Sequence, residues 1–154
     1  MERLVSSIGQ VPALNAAAYA AGNLVGGLIT FPGAAQRGFV AIYSITLVDA
    51  NTQNAPLDLI LFDSVPTSAL TDKSAVSIGT ADAQKIIGVI PIVASDYSSL
   101  GVCSVAGKAG KLGLFMGATS SDNNLYGILV ARGAVTYSLA TALTVRLFGE
   151  LGIQ

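Results

Sequence analysis

The chain contains no histidine and no tryptophan, and Cys103 is its only cysteine. Without histidine, the side chain most often used for proton transfer near neutral pH is missing, and so is the commonest metal ligand. A single cysteine closes no intrachain disulfide, and no thiolate cluster is available to hold a metal. Charge is scarce as well. Only 11% of the residues are charged, against about 25% in an ordinary soluble domain. Eight basic residues stand against nine acidic ones, for a net charge of −1, and they form no basic block. Binding to nucleic acid depends on clustered cations and is not expected.

Long hydrophobic runs are also missing, although one stretch imitates them. From Leu4 to Gln36 there is no charge, but Asn15, Gly22, Asn23, Gly26, Gly27 and Pro32 interrupt it. No unbroken run of about 20 strongly apolar residues exists, so no membrane span is expected. A secretory leader is not expected either, because Glu2 accompanies Arg3 and because Pro12 and Asn15 break the candidate apolar core. The chain is expected to be a soluble protein that stays in the cytoplasm, or in particles built there.

What the chain does have is apolar residues, 52% of the total over 154 positions. That length suits one domain, which buries roughly 68–70% of its unfolded surface. With so few charges, Ser, Thr, Asn, Ala and Gly must cover much of the exterior. Such a surface suits a subunit that hides part of itself against copies of itself or a larger assembly.

The clearest local signal is "AVTYSLATALTVRLF". Val135, Tyr137, Leu139, Thr141, Leu143, Val145 and Leu147 share one parity, and the smaller or more polar residues share the other. This period of two predicts a half-buried strand. At about 3.3 Å per residue it would run some 45–50 Å, so it is expected to bend or to change partners. Seven further strands are expected at Leu24–Phe31, Phe39–Val48, Leu57–Asp63, Ile86–Val93, Tyr97–Val105, Lys111–Ala118 and Leu125–Arg132. Pro91 marks Ile86–Val93 as an edge strand or one with a break. "TADAQKI" predicts one brief helix, with Thr80 as N-cap and Asp82 in the first turn.

The fold class expected is therefore all-β, an antiparallel β-sandwich of jelly-roll type. It carries one short helix near residues 80–86 and an extended N-terminal segment. Residues 1–23 are expected to form an arm that reaches a neighbour, and residues 24–154 the sandwich.

Three carboxylates, Asp49, Asp58 and Asp63, lie in or beside strongly apolar runs. Asp58 and Asp63 are five residues apart on one strand, roughly 17 Å, and point to opposite faces. They cannot form a glycosidase pair, which needs two carboxylates within about 10 Å across one cleft. Asp49 and Asp58 can approach each other if the strands flanking 50–56 form a hairpin. "DANTQN" resembles a calcium loop only superficially, since it lacks the central Gly and has Ile60 where the bidentate Glu belongs. The three are read as strand-end markers whose side chains cap nearby backbone amides.

"GKAGKLG" has neither the Gly spacing nor the hydroxyl residue of a phosphate loop, and reads as a Gly-rich turn carrying solvated Lys108 and Lys111. "SDN" at Ser121–Asn123 lacks the companion motifs of penicillin-recognising enzymes and reads as loop. Cys103 is read as a buried structural thiol. No nucleophile, base and orienting group occur together. The chain is not expected to be an enzyme, and no catalytic, cofactor-binding or metal-binding residue is expected.

Three stretches carry a family resemblance: "AAYAAGNLVGGLITFPGAA", "GFVAIYSITLVDANTQNAPLDLILFDSVP" and "SAVSIGTADAQKIIGVIPI". Their order resembles that of small β-rich virion structural proteins of tailed bacteriophages, over roughly Ala16 to Ile92. The resemblance implies a capsid decoration, or cement, protein placed on the head surface of the virion. Its partners would be the major capsid protein and further copies of itself, in a trimer rather than a dimer. A tail, adaptor or fibre-associated virion protein is the alternative implied, and a domain binding a small ligand or glycan is the second alternative. The resemblance assigns no chemical role to any residue.

Overall fold

The computed structural model describes residues 3–6, 9–33, 39–117 and 123–151. These residues form eleven strands and one short helix. A five-stranded sheet has the order β1-β11-β4-β8-β7, and a four-stranded sheet the order β3-β9-β5-β6. The strands of the first are β1 (Arg3–Ser6), β4 (Phe39–Asp49), β7 (Tyr97–Ser99), β8 (Ser104–Gly117) and β11 (Leu143–Leu151). Those of the second are β3 (Ile29–Phe31), β5 (Leu57–Phe62), β6 (Ile86–Ile92) and β9 (Leu125–Ala131). A two-stranded ribbon joins β2 (Ala18–Tyr19) to β10 (Val135–Thr136). Every strand pair is antiparallel. The all-β expectation holds.

The two larger sheets share one hydrophobic core. Ile42, Ile45, Leu47, Leu143, Val145 and Leu147 from the first meet Leu57, Leu59, Leu61, Leu125, Leu129 and Ile92 from the second. Alternation along each strand selects these residues, since every second side chain faces the partner sheet. On β4 the buried parity changes from Ile42 to Ile45, because Tyr43 is skipped in the register with both neighbours. This β-bulge rotates the rest of the strand by one residue and keeps Ile45 and Leu47 inside. Gly149 faces the same irregularity, where a Cβ would collide with the carbonyl oxygen of Ala41.

The long alternating segment at the end of the chain does change partners. Val135–Thr136 pairs with β2, whereas Leu143–Leu151 pairs with β4 and β1. Between them the alternation meets a turn: Leu139 and Thr141 are exposed although they share the parity of buried Tyr137 and Leu143. Pro91 lies on β6, which is an edge of its sheet, as expected.

Four expectations are corrected. Leu24–Phe31 is a strand only from Ile29, because Gly26 adopts φ +80° and breaks the extended run. Tyr97–Val105 is not one strand: Gly101, at φ +91°, turns the chain, and the Leu100 amide donates to the Cys103 carbonyl at 2.8 Å. This is a two-residue hairpin loop, for which a positive φ at the first central position is required. "GKAGKLG" is not a turn but part of the strand Ser104–Gly117: Gly107, Lys108 and Ala109 pair with Thr46, Ile45 and Ser44 of β4 despite the low β-propensity of glycine, and the register then slips before Leu114. The expected helix is only Thr80–Ala83, with Gly79 rather than Thr80 as its N-cap.

Part of the N-terminal segment read as an arm lies within the fold. Arg3–Ser6 adds an edge strand to β11, Gln10 bridges Val145, and Leu14 and Tyr19 enter the main core. Residues 1, 2, 7 and 8 of that segment lie outside the described residues, as do Ser121 and Asp122 of "SDN".

Outside the four-stranded sheet there is a second, smaller core. Ile60, Phe62, Tyr126, Ile128 and Val130 point away from the first sheet and meet Leu24. Leu28, Leu70, Val76 and Ile78 pack over them. The strands β5 and β9 are therefore apolar on both faces, and the chain between β5 and the helix acts as their lid.

Candidate functional site

The described acidic side chains are the natural place to look for chemistry, and each of them has a definite position. Asp49 is the last residue of β4 and is fully buried. Its Oδ1 accepts the Asn51 amide at 2.9 Å, and its Oδ2 accepts those of Gln53 and Asn54 at 2.8 and 3.0 Å. The loop can offer three amides to one carboxylate because Thr52 and Asn54 both take left-handed backbone conformations, at φ 52° and 51°. Asparagine adopts that region readily, but a β-branched threonine there is uncommon. The capping role read from the sequence describes this residue well.

Asp58 lies one residue into β5 and pairs with Arg132, Nε to Oδ2, at 2.7 Å. Asp63 follows β5 and accepts the Ser64 hydroxyl at 2.8 Å. The hairpin that would have brought Asp49 and Asp58 together does not exist. β4 and β5 belong to different sheets, and residues 50–56 cross from one to the other.

Two further carboxylates do more than the sequence reading assigned them. Asp72 accepts the Asn15 amide at 2.9 Å and its Nδ2 at 2.7 Å, the Tyr19 hydroxyl at 3.0 Å, and the Gly26 amide at 2.6 Å. It ties the lid to the N-terminal segment. Asp82, nearly completely buried, accepts the Thr67 amide at 2.9 Å, and the Ser68 amide and hydroxyl at 2.6 Å each. Lys85 reaches it at 2.8 Å and also donates to the Val65 carbonyl. The Lys85 ammonium, then the Ser68 hydroxyl and the Thr67 amide, hold the Asp82 carboxyl far below the usual range. Asp82 was read only as a first-turn acid; its work is to fix the start of the lid.

Between β6 and β7, Asp96 caps the 3₁₀ turn Ala94–Asp96 by accepting the Val93 amide at 2.8 Å. It also pairs with Lys108 at 2.7 Å. The Lys108 ammonium first, and the Val93 amide second, keep its carboxyl low. Lys108 is thus ion-paired on a strand, not a solvated turn lysine.

Tyr19, Tyr97 and Tyr137 are the other titratable groups near these acids. Burial raises all three phenols well above their ordinary range, and the neighbouring charge of Asp72 (for Tyr19) or Asp49 (for Tyr97 and Tyr137) adds to it. They stay neutral in any ordinary buffer. Among the described residues, no three His, Cys, Asp or Glu side chains gather where a metal ion could be held. The free thiol of Cys103 is half-exposed at the end of the β7–β8 hairpin, so the buried reading is corrected. The turn at Gly101 places it there.

The surface offers a different kind of candidate. At the tip of the β7–β8 hairpin, Val102 is 90% exposed and Leu100 63%. Val89 and Val93 are also exposed, on and just after the edge strand β6. Among the described residues no helix is long and apolar enough to cross a membrane. No protein-family model matches the chain, and no curated protein matches it.

Proposed function

We propose that this chain is a bacteriophage capsid decoration protein, which binds the outer head surface as an oligomer and stabilises the shell by multivalent contacts. The strand order is the observation that carries the reading. With the β2–β10 ribbon and the fifth strand of the larger sheet, β7, set aside, eight strands remain, and counted along the chain they lie 1-8-3-6 in one sheet and 2-7-4-5 in the other. All connections but one cross between sheets, a pattern that supports the jelly-roll expectation. Jelly rolls are characteristic of viral capsid domains and of lectins. The resemblance of Ala16–Ile92 to tailed-phage structural proteins favours the first of these. The buried acids are engaged in holding loops, and the exposed Leu100 and Val102 are suited to contact with a shell.

Fold alone does not fix function, and the lectin-like strand order keeps glycan binding as a second reading. Co-sedimentation with shells assembled from the major capsid protein of the same genome separates the two. Near-stoichiometric binding of an oligomer, weakened when Leu100 and Val102 are changed to Ser, is the outcome expected. A monomer indifferent to shells contradicts the proposal; saturable binding on a glycan array would then favour the second reading.

A further inference from the structure

At the end of the sandwich, where β4 runs into the crossing loop, the segments around the Asp49 clasp carry buried polar groups that it leaves unused. In the register Asp49 lies between Leu143 on β11 and Ser104 on β8. The Ser104 hydroxyl is buried and has no protein hydrogen-bond partner. Asn54 gives its amide to Asp49, yet its side-chain carbonyl Oδ1 is also buried and without a partner. Tyr137 is completely buried, its ring edge-on to Tyr19 with centroids 6.0 Å apart, and its hydroxyl is the third such group.

The segment carrying Tyr137 is fastened to the same loop. Ser138 and Leu139 donate their amides to Asn51 Oδ1 at 3.0 and 3.3 Å, and Asn51 Nδ2 donates to the Ser138 hydroxyl at 2.9 Å. Three buried groups without partners, each on a segment paired or hydrogen-bonded to the Asp49 loop, call for a physical account, because native structures leave few such groups unsatisfied. Asn54 Oδ1 only accepts, whereas the two hydroxyls donate or accept. A molecule that both donates and accepts satisfies all three. A cation fits less well, since both oxygens of Asp49 already take amide protons.

We propose that this end of the sandwich is an internal hydration site, in which ordered water bridges Ser104 Oγ, Asn54 Oδ1 and Tyr137 Oη beside Asp49 and braces the loop 50–56. Buried waters of this kind make about three hydrogen bonds and are costly to remove. Oxygen-17 magnetic relaxation dispersion counts such long-lived waters, and thermal melting weighs them. The wild-type protein should show the long-lived component, and Tyr137→Phe and Ser104→Ala should each diminish it while lowering Tm by a few degrees. In the double variant the loss in Tm should be smaller than the sum, because the same water is lost once. An unchanged dispersion in both variants overturns the proposal whatever the melting shows. A wild-type Tm that rises in sodium chloride but not in choline chloride overturns it as well, in favour of a bound cation.

Discussion

On one face of β5 and β9, Leu57, Leu59, Leu61, Leu125 and Leu129 meet the five-stranded sheet; on the other, Ile60, Phe62, Tyr126, Ile128 and Val130 meet a segment with little regular structure. The first contact is strand against strand, and alternation on both sides specifies it. The second has alternation on one side only. Residues 64–79 present Leu70, Val76 and Ile78 without a strand's period, so hydrophobicity alone does not place them. Carboxylates do. Asp82 holds Thr67 and Ser68, and Asp72 holds Asn15, Tyr19 and Gly26, while backbone bonds link the Leu24 amide to Ser74 and the Val76 amide to Gly22. A carboxylate accepting several amides is a directional clasp, which an apolar contact cannot be.

The contrast can be broken from either side. The largest effect is expected in the inner core: Leu59→Ala should cost about 3–4 kcal/mol in urea unfolding, with the whole domain losing stability together. Gly26→Ala should cost about 2–3 kcal/mol, since the new Cβ falls 2.6 Å from Pro12 Cβ on a backbone at φ +80°. Its damage belongs to the clasped layer, so a variant as stable as the wild type would show that the layer tolerates loosening.

Acid comes next. Asp82 and Asp96 have folded-state carboxyls held below the ordinary range. Their contributions are therefore complete above the unfolded value, near 3.9, and are lost as pH falls through the folded values. The urea midpoint should drop between about pH 5 and pH 2, and Lys85→Met should flatten that drop. Arg132→Ala should do least: its pair with Asp58 sits at the surface, with Arg132 half-exposed, and should be worth no more than about 0.5 kcal/mol.

The inner core was legible because period two is a local signal. The parity of Val135, Tyr137, Leu143, Val145 and Leu147 names their buried face, and Pro91 names an edge. The role of Asp49 was legible for a similar reason, since its three amide partners lie within five residues. Asp72 was not, because its partners are 46 to 57 positions away in the chain. No local pattern marks an aspartate for a tyrosine that distant. The glycines of "GKAGKLG" argued for a turn, but pairing of Gly107–Ala109 with β4 overrides their propensity. The "LGVC" hairpin was hidden by the apolar residues on both sides of Gly101.

Native-state hydrogen exchange of Asp72→Ala tests most directly whether the carboxylates are clasps that hold an outer layer to an inner frame. The amides of Leu24, Lys73 and Val76, which join the lid to residues 22–24, should exchange at least about ten times faster than in the wild type. Those of β5 and β9 should change far less. Equal acceleration of both sets, or no change in either, would contradict the account.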